Sequence, residues 1–87
     1  MAKPETGPPI ADAVPWADRM TEYDEQHLVT YLRLLDAEED GADPAEMARI
    51  VLGIEPNDEP ERALAAVESH LARARWMAEQ GFLELLD

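Results

Sequence analysis

Prolines and glycines partition this chain before any other feature does. Pro4, Pro8, Pro9 and Pro15, with Gly7, crowd the first 20 residues, a density that permits no regular element. Further along, the breakers cluster at Gly41 and Pro44, between Gly53 and Pro60, and at Gly81. Three stretches remain uninterrupted, over about 22–39, 44–52 and 60–80. Each repeats aliphatic residues at helical spacing, and none alternates apolar with polar residues as a half-buried strand would. The expected fold is all-α: a disordered proline-rich tail over 1–20 and a three-helix domain over 21–87.

Start signals sharpen the three helices. The Thr21 hydroxyl can accept from the first-turn amides, and Glu22, Asp24 and Glu25 suit the positive end of the helix dipole. Leu28, Tyr31, Leu32 and Leu35 then form an inner face, flanked by His27 and Leu34, with Glu25, Val29, Arg33 and Asp36 on the other side. Asp43-Pro44-Ala45-Glu46 reads as a cap, a proline at the first helical position and a reciprocal glutamate. Met47, Ile50 and Val51 are expected to face inward. Asp58 is expected to cap the third helix, with Pro60 in its first turn and Glu61 at the capping-box position. Leu64, Val67, Leu71, Ala74 and Ala78 make its buried stripe, beside His70 and Met77, and Phe82, Leu83, Leu85 and Leu86 fold back to close the core.

Charge restricts the chemistry. Seven Lys and Arg against 20 Asp and Glu leave 87 residues with a net charge of −13, a field that repels phosphate backbones. The charge is also polarised. Residues 21–46 hold Arg33 against nine acids, a balance of −8, while residues 62–78 hold Arg62, Arg73 and Arg75 against Glu68, a balance of +2. No cysteine is present, which excludes disulfides and thiolate metal sites. Neither a signal peptide nor the roughly 20 apolar residues of a membrane span is visible, and a soluble cytoplasmic protein without membrane contact is expected. His27 and His70 lie near apolar faces without metal-ligand spacing, and Ser69 and His70 are adjacent on a helix and cannot face each other. The runs at 38–40 and 57–61 lack calcium-loop spacing. No cofactor and no enzymatic activity are expected.

A different row stands out on the third helix. Ala65, Ser69, Ala72 and Trp76 recur beside the core stripe, small side chains ending in a large aromatic, with Arg62 and Arg73 nearby. Such a row either packs on the protein's own first helix or receives a partner. Trp16 and Met20 either pack on the domain edge or fold onto a partner. Arg62, Ser69, Arg73 and Trp76, together with Arg33 on the first helix, are the candidate partner-binding residues.

HLVTYLRLLDAEEDGADPAEMARIVLGIEP and ERALAAVESHLARARWMAEQGFLELL, spanning about residues 21–86, resemble a proteobacterial domain-of-unknown-function family of helix-turn-helix variants. The densest signatures are HLxxYLRLLDA and HLARARWM, and the family occurs on integrative and conjugative elements. The resemblance implies two activities for one fold. Copies fused to activators help to bind promoter DNA for excision and transfer genes. Stand-alone acidic copies act as quorum-sensing antiactivators, binding transcriptional activators such as a LuxR-type acyl-homoserine-lactone receptor or a conjugative-element activator and repressing horizontal gene transfer. This chain's charge suits the second role, because Asp58, Glu59 and Glu61 would turn carboxylates towards DNA phosphates. Specific DNA binding is not expected. The alternative is a DNA-binding regulator that acts as an oligomer through Arg62, Arg73 and Arg75. A further alternative is an acidic decoy that occupies a partner's DNA groove by charge alone.

Overall fold

The computed structural model describes residues 10–81, and these form an all-α domain built around one long helix. The first nine residues of the expected tail, and the closing residues Phe82, Leu83, Leu85 and Leu86, lie outside the described residues.

The expected first helix is broken into α1, Glu22–Gln26, and α2, Leu28–Glu39. Thr21 caps α1 in a full capping box, its hydroxyl accepting from the Asp24 amide and the Asp24 carboxylate accepting from the Thr21 amide. The break at His27 has a local cause. Its ring Nδ1 donates to the Tyr23 carbonyl at 2.8 Å, so that acceptor is taken, and the His27 amide turns to the Asp24 carbonyl at 3.0 Å. The backbone there leaves helical geometry, with φ −121° and ψ 22°. The buried stripe runs through Asp24, His27, Tyr31 and Leu34, at spacings of three and four residues, and leaves Leu32, expected inside, exposed to solvent.

α3, Pro44–Met47, starts on the expected box of Asp43 and Glu46. It runs on as a π turn over Ala48–Leu52 and stops at Gly53, whose φ of 74° needs the left-handed freedom of glycine. The inner face follows residues 47, 48, 51 and 52, the i, i+1, i+4, i+5 set of a helix. Ala48 and Leu52 join Met47 in the core, Val51 is half-buried, and Ile50 stands exposed rather than inside.

A connector over 53–59 leads to α4, Pro60–Trp76, which continues as a π turn over Met77–Gly81. Glu59, not Asp58, holds the cap position, and no side chain caps it. Asp58 is drawn back into the connector, where its amide bonds the Glu55 carbonyl at 3.1 Å. The buried stripe of α4 is Ala63, Ala66, Val67, His70, Leu71, Arg73 and Ala74. Leu64 and Ala78, expected inside, are exposed, so the inner face is rotated slightly from the one built on Leu64. Small residues at 63, 66 and 74 let α2 and α3 approach α4 closely. Leu34, Met47, Leu52, Ile54, Val67 and Leu71 fill one cluster, and Tyr31, Ala74 and Met77 a second at the far end.

Residues 10–20, with Pro15 among them, carry no helix, yet they are laid along the domain as a strap. Val14 is buried and Ile10 packs against the main cluster.

Candidate interaction surface around Arg73 and the start of the long helix

Asp24 and Arg73 organise the site. Both side chains are fully buried, and the guanidinium grips the carboxylate through Nε–Oδ1 at 3.0 Å and Nη2–Oδ2 at 2.6 Å. Tyr31 donates to Oδ1 at 2.8 Å and the Thr21 amide to Oδ2 at 2.8 Å, which gives each oxygen two donors. Burial alone would raise the Asp24 pKa, but the Arg73, Thr21 and Tyr31 hydrogen bonds overcome it and lower the carboxyl from 3.8 to about 2. Burial, with the adjacent carboxylate, pushes the Tyr31 hydroxyl far above its ordinary value. Arg73 spends two further donors on the strap, reaching the carbonyls of Ala17 at 2.6 Å and Arg19 at 2.8 Å.

Two indoles enclose the same cation. The Arg73 guanidinium carbon lies 4.0 Å from the Trp76 ring centroid and 4.7 Å from that of Trp16. The indoles themselves meet edge to face at 6.2 Å. Trp16 therefore packs on the domain edge, as one of its two expected placements had it. Trp76 is half-buried beneath it, with one side against the second core cluster.

The strap also engages the other expected site residues on α4. The Ser69 hydroxyl accepts from the Val14 amide at 2.8 Å. Arg62 pairs with Asp12 at 2.6 Å and with Glu59 at 3.1 Å. Arg62, Ser69, Arg73 and Trp76 thus do lie together, but the chain's own segment over 12–19 covers them. Arg73, expected at a partner surface, is a fully buried cation held by Asp24 and the strap. Arg33 stands apart on α2, exposed, its Nη2 donating to the Ile50 carbonyl at 3.4 Å. Arg75 pairs with Glu38, and Arg49 with Glu55 at 3.3 Å.

A second polar network ties the strap to α1 and α4. The Ala11 amide donates to the Tyr23 hydroxyl at 3.0 Å, and that hydroxyl meets His70 Nε2 at 2.6 Å. His70 Nδ1 lies 2.7 Å from the Ala66 carbonyl, which can only accept, so Nδ1 carries the proton and Nε2 receives the Tyr23 O–H. Burial lowers the His70 pKa and favours this neutral ring. Tyr23 stacks on His27 at 3.9 Å. The two histidines are thus held in structural roles, and among the described residues no group of three His, Cys, Asp or Glu is placed to hold a metal ion.

Sequence reasoning missed Asp24 and Tyr23 as members of this site because their partners lie 49 and 47 residues away. The one local signal was Asp24 in the first turn after Thr21, where a carboxylate suits the helix dipole and points to nothing more.

The start of α4 is where a helix-turn-helix reader brings its second helix towards DNA. Here residues 57–61 are exposed, and they include Asp58, Glu59 and Glu61. Beside them Pro44, Ala45, Pro56, Pro60, Ala63 and Leu64 line a shallow apolar groove of about 210 Å³. No described helix is long and apolar enough to cross a membrane.

No curated protein matches the sequence. A family model described as "T6SS, Transcription factor, DNA binding domain" matches residues 7–87, nearly the whole chain. The helix–extended turn–helix of α3 and α4, preceded by α1 and α2, agrees with a domain of that kind. The chain belongs to the RovC family of transcription-factor DNA-binding domains.

Proposed function

We propose that this domain regulates transcription as an antiactivator: it binds a transcriptional activator protein in the cytoplasm and holds it inactive. The observation that carries the reading is the state of the cationic side chains. Arg73 is buried on Asp24, while Arg62, Arg75 and Arg49 are each neutralised by acids of the same chain. The α4 start meanwhile presents carboxylates where a DNA reader would present bases or amides. With a net charge of −13, approach to DNA is opposed at long range and approach to a basic activator is favoured. The sequence resemblance to stand-alone antiactivators of conjugative elements points to a LuxR-type receptor or a conjugative-element activator as partner.

A second reading, a DNA-binding regulator, is favoured by the family itself, whose model describes a DNA-binding domain. Arg73 cannot serve it, which leaves Arg62 and Arg75 on α4 at the expense of their present ion pairs.

Titration of a purified activator with the chain, with and without acyl-homoserine lactone, tests the first reading. Saturable binding that persists at raised salt supports it. Binding that vanishes steeply with salt points instead to a decoy acting by charge alone. The absence of any complex, together with specific DNA binding by the chain, overturns it in favour of the second.

A further inference from the structure

The two halves of the strap are fastened by different chemistry. Its second half is held by a cation: Arg73, closed on Asp24, donates to the Ala17 and Arg19 carbonyls. Its first half is held by neutral groups. The Ala11 amide donates to the Tyr23 hydroxyl at 3.0 Å, and that hydroxyl donates to His70 Nε2 at 2.6 Å. Nδ1 of the same ring donates to the Ala66 carbonyl at 2.7 Å, so both ring nitrogens are committed and the chain of bonds requires a neutral His70. Between the two halves Val14 is buried, with its amide on Ser69.

A proton on Nε2 reverses this chain. The nitrogen becomes a donor, the Tyr23 oxygen then faces two donors in Ala11 and His70, and its own hydrogen loses the acceptor it is bonded to. Among the described residues nothing offsets the new charge. From α1 the fully buried ring meets Tyr23, with His27 stacked on that tyrosine at 3.9 Å and itself able to become a cation. α4 supplies the Ala66 carbonyl and, three residues on, Arg73, whose charge is matched by Asp24. The Asp24 oxygens are already filled by donors from Arg73, Tyr31 and Thr21. The strap's acid at this end, Asp12, lies on Arg62. Burial, reinforced by His27, accordingly holds the ring below its ordinary pKa of 6.5. Lifting the first half of the strap admits water to the Tyr23 hydroxyl and the ring, so the opened form binds the proton more readily.

We propose that the Ala11–Tyr23–His70 chain is a proton-sensitive latch: protonation of His70 frees the strap from residue 10 up to Val14, while Arg73 keeps the rest in place. Opening uncovers the part of the main cluster on which Ile10 packs and takes Asp12 away from Arg62. Arg62 then keeps Glu59 alone, so acid bares apolar surface and a less neutralised cation near the start of α4. The latch belongs to the fold and does not depend on which partner the domain binds.

An NMR titration of the full chain from about pH 7.5 to 5, above the range in which ordinary carboxylates titrate, tests the latch. Ring shifts follow the His70 proton, and backbone relaxation follows the order of each amide. Order at Ala11 and Asp12 should be lost with the same midpoint as the ring, below 6.5, while Leu71 and Ala74 on α4 and the helical circular dichroism stay unchanged. His70→Gln, which cannot take up the proton, should make order at Ala11 independent of pH. Tyr23→Phe, which removes the hydroxyl, should leave Ala11 mobile already at neutral pH. Ala11 that keeps its order throughout the ring's titration overturns the proposal. Loss of order at Leu71 and Ala74 in step with Ala11 overturns it as well, because the whole domain is then unfolding. The parent's pH profile in His70→Gln shows another group titrating and has the same consequence. Should His70→Gln not fold, Tyr23→Phe decides alone: a mobile Ala11 across the range supports the latch, and the parent's profile contradicts it.

Discussion

Arg73 and Asp24, 49 residues apart, meet as a doubly hydrogen-bonded pair with no solvent exposure on either side chain. This single contact closes α1 onto α4 and, through the Ala17 and Arg19 carbonyls, fastens the strap over both. It also removes from the surface the arginine that a DNA-reading or partner-reading helix would most readily have used.

Asp24→Asn should destabilise the domain by about 3–5 kcal/mol, because the guanidinium remains buried without its counter-charge. The new amide nitrogen would also face donors that now point at a carboxylate oxygen. That loss approaches the whole stability of a domain of this size, on the order of 5 kcal/mol. Urea denaturation at neutral pH measures it, and a loss under about 1 kcal/mol would show that the pair contributes little.

Acid should unfold the domain in two stages. The Asp24 carboxyl titrates at about 2 in the fold against 3.8 ordinarily. Between these values the unfolded chain binds a proton that the folded one refuses, so stability falls as pH drops. This contribution, about 2 kcal/mol, is complete above pH 4 and is lost as pH falls through about 2. His70, whose pKa is lowered from 6.5 by burial, acts earlier. The unfolded chain protonates its imidazole first, and stability should begin to decline once pH falls below about 6.5. Chemical denaturation across pH 2–8 follows both stages, and His70→Gln should flatten the earlier one while leaving the later in place.

Trp16→Ala should cost only about 1 kcal/mol, the scale of one edge-to-face aromatic contact with a neighbouring cation. Trp76→Ala should cost roughly 2 kcal/mol or more, since that ring also packs on the second core cluster. Paired thermal melts decide the order, and equal losses would contradict the placement of Trp76 beneath Trp16. Amide exchange at Val14, whose N–H is held by Ser69, should rise in both variants as the strap loosens.

Much of the fold was legible because its signals are local. Thr21 with Asp24, and Asp43 with Glu46, are capping boxes written within four residues, and glycine at 53 stops a helix by its own backbone freedom. The errors at Leu32 and Ile50 lie in the choice of inner face. Tyr31 and Leu34 set that face on α2, and Met47, Ala48 and Leu52 set it on α3 and its continuation, so Leu32 and Ile50 are left outside. Aliphatic residues at 28, 32, 34 and 35 fit more than one face, and their spacing alone does not choose between them. The strap was illegible for another reason: its anchors on Ser69 and Arg73 lie 55 and 56 residues away, and proline density announces irregular backbone without saying what it rests on. Helical spacing placed Ser69 and Trp76 in one row on α4 with Arg62 and Arg73 near it, but it could not show that the strap reaches all four.

Competition on promoter DNA tests the antiactivator account most directly. An activator bound to its fluorescently labelled promoter duplex is titrated with the chain at about 0.15 M salt, and the chain alone is titrated onto the same duplex. The expected result is release of the activator as the chain is added, and no anisotropy change from the chain alone. Sub-micromolar, sequence-dependent binding of the duplex by the chain itself, with the activator left in place, would contradict the account and identify the domain as a DNA reader.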